Sequence, residues 1–173
     1  MKKAMILLLA LATVCASVFA QSVSERATVP ETHIITDHTG AEVEVPVNIE
    51  RIAVTGIYPL PSVLTVFFNS AEKIVSMNTP SLSAAKAGML GQIYPEILNV
   101  NDKPVGTGEI NLEELLKVKP DVVFYSTRAQ GESIREAGIP AVGISVNKWD
   151  YNAIETLNHW LELLGQMFPQ DAE

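Results

Sequence analysis

The sequence is poor in cysteine and in basic residues, and each shortage excludes a class of chemistry. Its one cysteine is Cys15, near the start, so the rest of the chain has neither a disulfide nor a nucleophilic thiolate. Lysine and arginine together number 12 against 20 aspartate and glutamate residues, and the formal net charge is −8. Because binding to phosphates requires clustered basic side chains, we expect no nucleic-acid partner.

Residues 1–20 have the pattern of an export signal. Two lysines precede an apolar stretch that is too short to span a membrane, and residues 18–20 form the cleavage site. Cys15 offers a position for a lipid anchor, but Val14 is bulkier than the residue that lipidation favours there. We therefore expect cleavage and a periplasmic location rather than lipidation.

The rest of the chain has the length of one domain, since about 150 residues bury one good core and not comfortably two. Residues 21–32 are mostly polar and are predicted to be a flexible leader. Residues 33–149 form the predicted domain, and residues 150–173 form a separate helical segment at the end.

A β-hairpin is predicted at the start of the domain. The β-prone runs 33–36 and 42–45 flank a turn of Asp, His, Thr and Gly at residues 37–40. His33 and His38 are five residues apart, and no third ligand follows at a spacing typical of zinc sites. We interpret both histidines as strand and turn residues, so no metal site is predicted.

The segment 103–126 combines a capped helix with a buried strand. Asn111 occupies the N-cap position and Glu114 follows three residues later, which is the spacing of a capping box. A lysine and a proline then end the helix by about Val118. The apolar run at residues 121–125 predicts a strand that is covered on both faces of a parallel sheet.

Strand and helix patterns alternate along the rest of the domain. Helices are predicted to begin near Ser62, Ser81 and Glu132, and the other strands are predicted at residues 52–55, 73–77 and 141–146. This alternation predicts an α/β fold with a mainly parallel sheet, preceded by the hairpin.

The helix that begins near Asp150 has apolar residues at steps of three and four. They are expected to form one buried face, made of Ile154, Leu157, Leu161, Leu164 and Phe168. We interpret Trp160 as a core residue and His159 as a surface residue.

The sequence has no arrangement that is typical of an active site. It lacks a nucleophile elbow, a histidine-carboxylate set and paired carboxylates at a catalytic spacing. The turn at residues 106–108 begins like a dinucleotide fingerprint, but Asn111 stands at the third glycine position. We predict no catalytic residue, no resident cofactor and no enzymatic function.

Several of these segments together resemble the periplasmic substrate-binding proteins of ABC importers for iron-siderophore, haem and cobalamin complexes. The resemblance rests mainly on ITDHTGAEVEVP and INLEELLKVKPDVVFYS, with RIAVTG, AEKIVSM and AGIPAVGIS between and after them. It implies a bilobed protein in which each lobe is a three-layer α/β sandwich and the ligand lies between the lobes. Residues 33–149 would be the N-terminal lobe, and residues 150–173 would lead to the inter-lobe connection, with the second lobe absent.

In the family, ligand contacts come from loops that leave the carboxyl ends of the strands. The matching loop residues here are Tyr58, Pro59, Met77, Asn78, Thr79, Thr107, Ser126, Thr127 and Arg128. Arg128 offers a cation for an anionic chelate. Relatives often carry an aromatic residue near the position of Thr107, and its absence here makes a flat macrocyclic ligand less expected.

The family also docks on its permease through an acidic residue, which matches Glu113. A glutamate in the first turn of a helix equally complements the helix dipole, so both interpretations stay open.

The resemblance implies a monomer that captures a ferric siderophore, haem or cobalamin and delivers it to an ABC permease in the inner membrane. The alternatives are an exported single-lobe enzyme or accessory domain, and a truncated product without function.

Overall fold

An antiparallel hairpin precedes a parallel sheet in the computed structural model, which describes residues 31–106 and 109–171. Strands β1 (Thr32–Thr36) and β2 (Glu42–Pro46) form the hairpin, as predicted, and Gly40 closes its turn with a φ of +83°. The predicted export signal, Cys15, most of the leader and Thr107 lie outside the described residues, so those predictions stay untested.

Four short strands form the parallel sheet in the order β4-β3-β5-β6. They are β3 (Ile52–Val54), β4 (Ile74–Ser76), β5 (Val122–Tyr125) and β6 (Ala141–Gly143). All neighbouring pairs are parallel, and β3 and β5 are buried along their whole length. The continuous apolar run of β5 therefore did indicate a strand that is covered on both faces.

Helices cover both faces of the sheet, which confirms the three-layer α/β fold. The helices are α1 (Leu60–Phe68), α2 (Thr79–Ala87), α3 (Leu90–Ile93), α4 (Leu112–Val118), α5 (Arg128–Glu136) and α6 (Ala153–Met167), and a 3-10 helix spans Pro95–Asn99. The hairpin, α1, α2 and α6 enclose the larger core, and α4 and α5 enclose the smaller one with Leu115 and Ile134.

Three helices, α1, α2 and α5, begin earlier than the sequence predicted, and α5 begins at Arg128 rather than near Glu132. For α1 and α2 the reason is that proline is well accepted in the first turn of a helix. Helix α1 begins at Leu60, so Ser62 lies inside it and does not cap it. Helix α2 begins at Thr79, and its cap is Asn78, whose Oδ1 accepts a hydrogen bond from Ser81 N at 2.9 Å. In each case a residue assigned to a loop belongs to the helix.

The cap of α4 is half of the predicted capping box. Asn111 Oδ1 accepts from Glu114 N at 3.1 Å, as expected. The reciprocal bond of a capping box would run from Asn111 N to the Glu114 carboxylate. Instead, Asn111 N donates to Pro104 O at 2.8 Å, and the Glu114 carboxylate accepts from Lys117 Nζ at 2.6 Å. That bond from Lys117 holds the pKa of Glu114 below its usual value. The helix ends at Val118, also as predicted.

A buried carboxylate ties the hairpin to the edge of the parallel sheet. Asp37 Oδ1 accepts from Thr39 N at 2.8 Å and Ala41 N at 3.0 Å, which fixes the turn. Its Oδ2 accepts from Gly143 N in β6 at 2.8 Å, and Arg135 Nη2 lies 3.9 Å away. A Cβ at Gly143 would stand 2.8 Å from the same oxygen, so only glycine allows this approach.

We expect Asp37→Ala to lower the free energy of unfolding by about 2–4 kcal/mol, because it leaves the buried N–H of Gly143 and the partly buried N–H groups of Thr39 and Ala41 without their acceptor. Urea unfolding measures this change. Glu42→Ala is the matched control: Glu42 is an exposed acid on the same hairpin and should change stability by less than about 0.5 kcal/mol. Equal effects of the two substitutions would refute the structural role of Asp37.

A candidate ligand-binding edge of the sheet

The loops after β3, β4 and β5 meet at one side of the molecule, which we call the carboxyl edge (residues 55–59, 77–79 and 126–130). The chain crosses from β4 back past β3 to β5, so the strand order reverses between β3 and β5. In open parallel sheets, ligands bind at such a reversal because the loops there diverge and leave a crevice. The carboxyl edge is therefore the expected place for a site.

A buried polar network around Thr55 sets the spacing of these loops. Thr55 N donates to Phe124 O at 3.0 Å, and Thr55 O accepts from Asn78 Nδ2 at 2.8 Å. The Thr55 hydroxyl donates to Gln130 Oε1 at 3.2 Å, which connects β3 to the first turn of α5. Residues from three separate loops are thus held at fixed distances.

The exposed part of the carboxyl edge is polar and borders the first turn of α5. Ser126, Thr127 and Arg128 are all exposed, and a Cβ on Gly56 would stand 4.0 Å from Ser126 Oγ. Thr127 is the N-cap residue of α5, but its side chain makes no capping hydrogen bond, and the first turn has no acidic residue. The side chain of Arg128 is 92% exposed, with Nε 3.5 Å from a Glu132 oxygen.

Two of the residues predicted to contact a ligand lie beneath this surface. Met77 is wholly buried in the larger core, and Asn78 is 3% exposed, with its amide engaged by Thr55 and Ser81. Their side chains support the edge from below. Thr79 is half-buried as the first residue of α2.

Tyr58 and Pro59 are exposed at the other end of the carboxyl edge. The Tyr58 carbonyl accepts from Ser81 Oγ at 3.0 Å, which anchors the loop, and Tyr58 as a whole remains 59% exposed. Tyr58, Pro59, Ser126, Thr127 and Arg128 are thus all exposed in loops that leave the carboxyl ends of β3 and β5.

A shallow cavity of about 370 Å³ extends this surface between α4 and α5. Its lining includes Glu109, Ile110, Gln130 and Ser133. Sequence reasoning missed Thr55 and Gln130, because the 75 residues between them leave no local pattern that predicts their contact.

The histidines that invited a metal interpretation contact the backbone instead. His38 Nδ1 accepts from Ser145 N and Nε2 donates to His159 O, both at 3.2 Å, which requires the neutral ring. Burial lowers the pKa of His38, in agreement with that state. His33 Nε2 bonds Gln166 O at 3.1 Å. No group of three metal-ligating side chains occurs within 31–106 and 109–171.

Comparison with known proteins gave one curated relative and several similar structures, while no family model matches. The molybdate-binding protein MolA of Haemophilus influenzae is 33% identical over 132 residues, 72% of this chain and 35% of MolA. A periplasmic solute-binding protein of Veillonella parvula is 30% identical with a TM-score of 0.74, over 82% of this chain and 43% of that one. The chain is similar to one part of the periplasmic solute-binding proteins of ABC transporters.

Further structures agree with this resemblance. MolA bound to molybdate superposes with a TM-score of 0.65 at 25% identity, over 80% of this chain and 47% of MolA. The petrobactin-binding protein YclQ of Bacillus subtilis, at 18% identity and a TM-score of 0.59, shares the fold; the match covers 82% of this chain and 46% of YclQ. The chain thus spans less than half the length of each of these proteins.

The resemblance inferred from the sequence is confirmed by these comparisons, and so is the single-lobe fold. The relatives are transport proteins rather than enzymes. Between residues 31 and 171, leaving aside 107 and 108, the structure has no helix long and apolar enough to cross a membrane.

Proposed function

We propose that this chain forms one wall of the ligand cleft in an exported solute-binding protein, and that its carboxyl edge contacts a small metal-containing anion. The anion is an oxyanion of the molybdate class or a ferric siderophore, and an ABC permease in the inner membrane would import it. In this proposal residues 1–20 direct export. The observation that supports it most is the open first turn of α5 at the reversal of the strand order.

The chemistry of that turn favours an anion. The first N–H groups of a helix have no partner within the helix, and the helix dipole makes this end partly positive. The first turn of α5 contains no acidic residue, and Ser126, Thr127 and Arg128 add two hydroxyl groups and a guanidinium, whose Nε lies 3.5 Å from an oxygen of Glu132 in the next turn. The relative MolA binds molybdate, which is an anion of this class.

A single wall should bind weakly. A helix terminus contributes about 0.3–1 kcal/mol to the binding of an exposed charge, whereas tight sites enclose most of the ligand surface. The carboxyl edge is an open surface in the described residues, and the match to each of these solved relatives covers less than half of that protein. The remaining contacts are expected from the part that this chain does not span.

The first test is a titration of the ¹⁵N-labelled chain with sodium molybdate, followed by amide chemical shifts. We expect the amides of residues 126–130 to shift, with a dissociation constant of about 1 mM or weaker. Arg128→Gln should reduce the shifts, whereas Lys86→Gln, which removes an exposed cation at the opposite end of α2, should not.

A gallium-loaded siderophore, titrated in the same way, tests the second ligand class. Sodium sulfate, titrated likewise, shows whether the site binds anions in general. Shifts confined to other surfaces would contradict the proposed site. Submicromolar binding by this chain alone would contradict the proposal that it supplies only one wall.

Permease docking through Glu113 is the second part of the proposal. Glu113 is exposed in the first turn of α4, and the lysine on the same helix, Lys117, is already bonded to Glu114. The charge of Glu113 is therefore not neutralised by its own helix, which leaves it available for a basic partner surface.

We expect Glu113→Lys on the chromosome to lower the uptake of the cognate solute by at least about tenfold, which corresponds to a loss of about 1.4 kcal/mol in docking. Uptake of radiolabelled solute by cells measures it. Glu72→Lys makes the same charge change at an exposed position away from α4 and serves as the control. If uptake is unchanged while the protein stays folded, Glu113 serves only the helix dipole.

A further inference from the structure

The imidazole of His38 joins the hairpin turn to two other parts of the chain. Its Nδ1 accepts from Ser145 N in the loop after β6, and its Nε2 donates to His159 O in α6, both at 3.2 Å. Both partners are backbone groups, which do not titrate. Only the neutral ring with its hydrogen on Nε2 makes both bonds, because an imidazolium ion has two donors and no acceptor.

The elements that pack against His38 also bring charged and titratable side chains. The hairpin contributes Asp37, whose carboxylate is already bonded to N–H groups of its own turn and of β6. The loop after β6 contributes Lys148, whose Nζ donates to the His38 carbonyl at 3.0 Å, and α6 contributes His159 and Glu162, which bond each other at 2.9 Å. Burial lowers the pKa of His38 and outweighs the bond to the His159 carbonyl, which raises it.

Protonation of the His38 ring is incompatible with its bond to Ser145. The second proton would lie on Nδ1, where it would face the N–H of Ser145, so that two donors would meet at 3.2 Å. A cavity of about 220 Å³ adjoins the ring, and its lining includes Lys148, Trp149 and Gln166. The charged ring can therefore turn into this open space and reach water, which leaves the N–H of Ser145 without its acceptor.

The same ring holds the loop after β6 (residues 144–149) against the hairpin. Trp149 stacks on His159, with 4.2 Å between ring centroids, and meets the His38 ring almost at right angles at 4.9 Å. On the other side of the loop, Ser145 O accepts from Trp160 Nε1 at 2.6 Å, and this bond is independent of pH because indole does not titrate. Loss of the His38 contact therefore leaves residues 145–149 attached mainly to α6.

Helix α6 is a firm anchor for this loop, because it packs into the larger core through side chains that include Trp160, Leu163 and Leu164. Trp160 is thus a core residue, as predicted. The buried face expected for α6 is wrong in part, since three of its members are exposed: Ile154, Leu157 and Leu161. The side of α6 that meets the core is the side that carries the bond to Ser145.

We propose that His38 is a pH-sensitive switch: its neutral ring holds residues 145–149 against the hairpin, and protonation of the ring releases them. Strand β6 runs parallel to β5, so this loop leaves the sheet on the same side as residues 126–130. A change in pH thus alters the side of the molecule that carries the carboxyl edge. The switch rests on the contacts of His38 and does not depend on the proposed ligand.

The direction of the pH effect follows from the difference between the folded and unfolded states. The pKa of His38 is lowered in the folded protein by burial, whereas an unfolded histidine titrates at about 6.5. The stabilisation that the neutral ring contributes is therefore complete above about pH 6.5, and it is lost as the pH falls through the lower pKa of the folded state. Acid, and not base, releases the loop.

The test is an NMR titration of the isotope-labelled chain from about pH 8 to about pH 5, a range in which histidines titrate and most carboxylates do not. The Cε1–H signal of His38 reports protonation of the ring. Hydrogen exchange of the Ser145 amide, expressed as a protection factor, reports the bond. We expect the protection factor to fall by about tenfold with the same midpoint as the ring signal, because one hydrogen bond is lost.

The chain has three histidines, so each can be replaced singly. His38→Asn places an amide oxygen near the position of Nδ1 without a titratable group, and it should keep Ser145 protected at both ends of the pH range. His159→Gln and His33→Gln are the matched controls. Each removes another titratable ring, while the backbone carbonyl of residue 159 remains to accept from His38, so both should show the wild-type transition.

Circular dichroism verifies that each variant is folded, and the wild-type titration decides the question even if His38→Asn does not fold. Protection of Ser145 that stays unchanged while the His38 ring becomes protonated overturns the proposal. A transition that persists in His38→Asn also overturns it, because another group is then the pH sensor. A His38 ring that stays neutral down to about pH 5 overturns it as well, because the switch would then lie outside the range in which histidine responds.

Discussion

The buried carboxylate of Asp37 is the constraint on which the arrangement of the hairpin and the sheet depends. One oxygen closes the β1–β2 turn and the other accepts the N–H of Gly143 in β6, 106 residues away. Burial of this carboxylate is compatible with a stable fold only when all these N–H donors are present, because an unpaired buried charge destabilises the folded state. Position 143 requires glycine, because a Cβ there would come too close to the Asp37 carboxylate and to the side chain of Thr39 in the hairpin turn. The hairpin is therefore an integral part of the fold rather than an appendage.

The polar residues of the carboxyl edge fall into two sets, one buried and one exposed. Thr55, Asn78 and Gln130 bond one another beneath the surface and fix the spacing of the loops. Ser126, Thr127 and Arg128 stay exposed above them, and in the proposed function they contact the ligand. Such a division is expected of a binding site, because side chains that contact ligand are effective only when a second set holds their backbone in place.

The sequence was sufficient for features that depend on local chemistry. The apolar run of β5, the Asn111 cap and the hairpin turn each come from residues that are close together in the chain, and each was found where it was predicted. Contacts between distant segments were not predictable in this way. Periodicity also could not decide which apolar side of α6 meets the core, because that choice depends on where α1 lies.

In the proposed function, a metal-containing anion binds at the carboxyl edge, next to the first turn of α5. Anomalous X-ray diffraction from crystals soaked in molybdate locates the metal directly. We expect an anomalous peak within hydrogen-bonding reach of the α5 amides and the Ser126 hydroxyl. A peak only at another surface, such as the cavity beside His38 and Glu162, would contradict it.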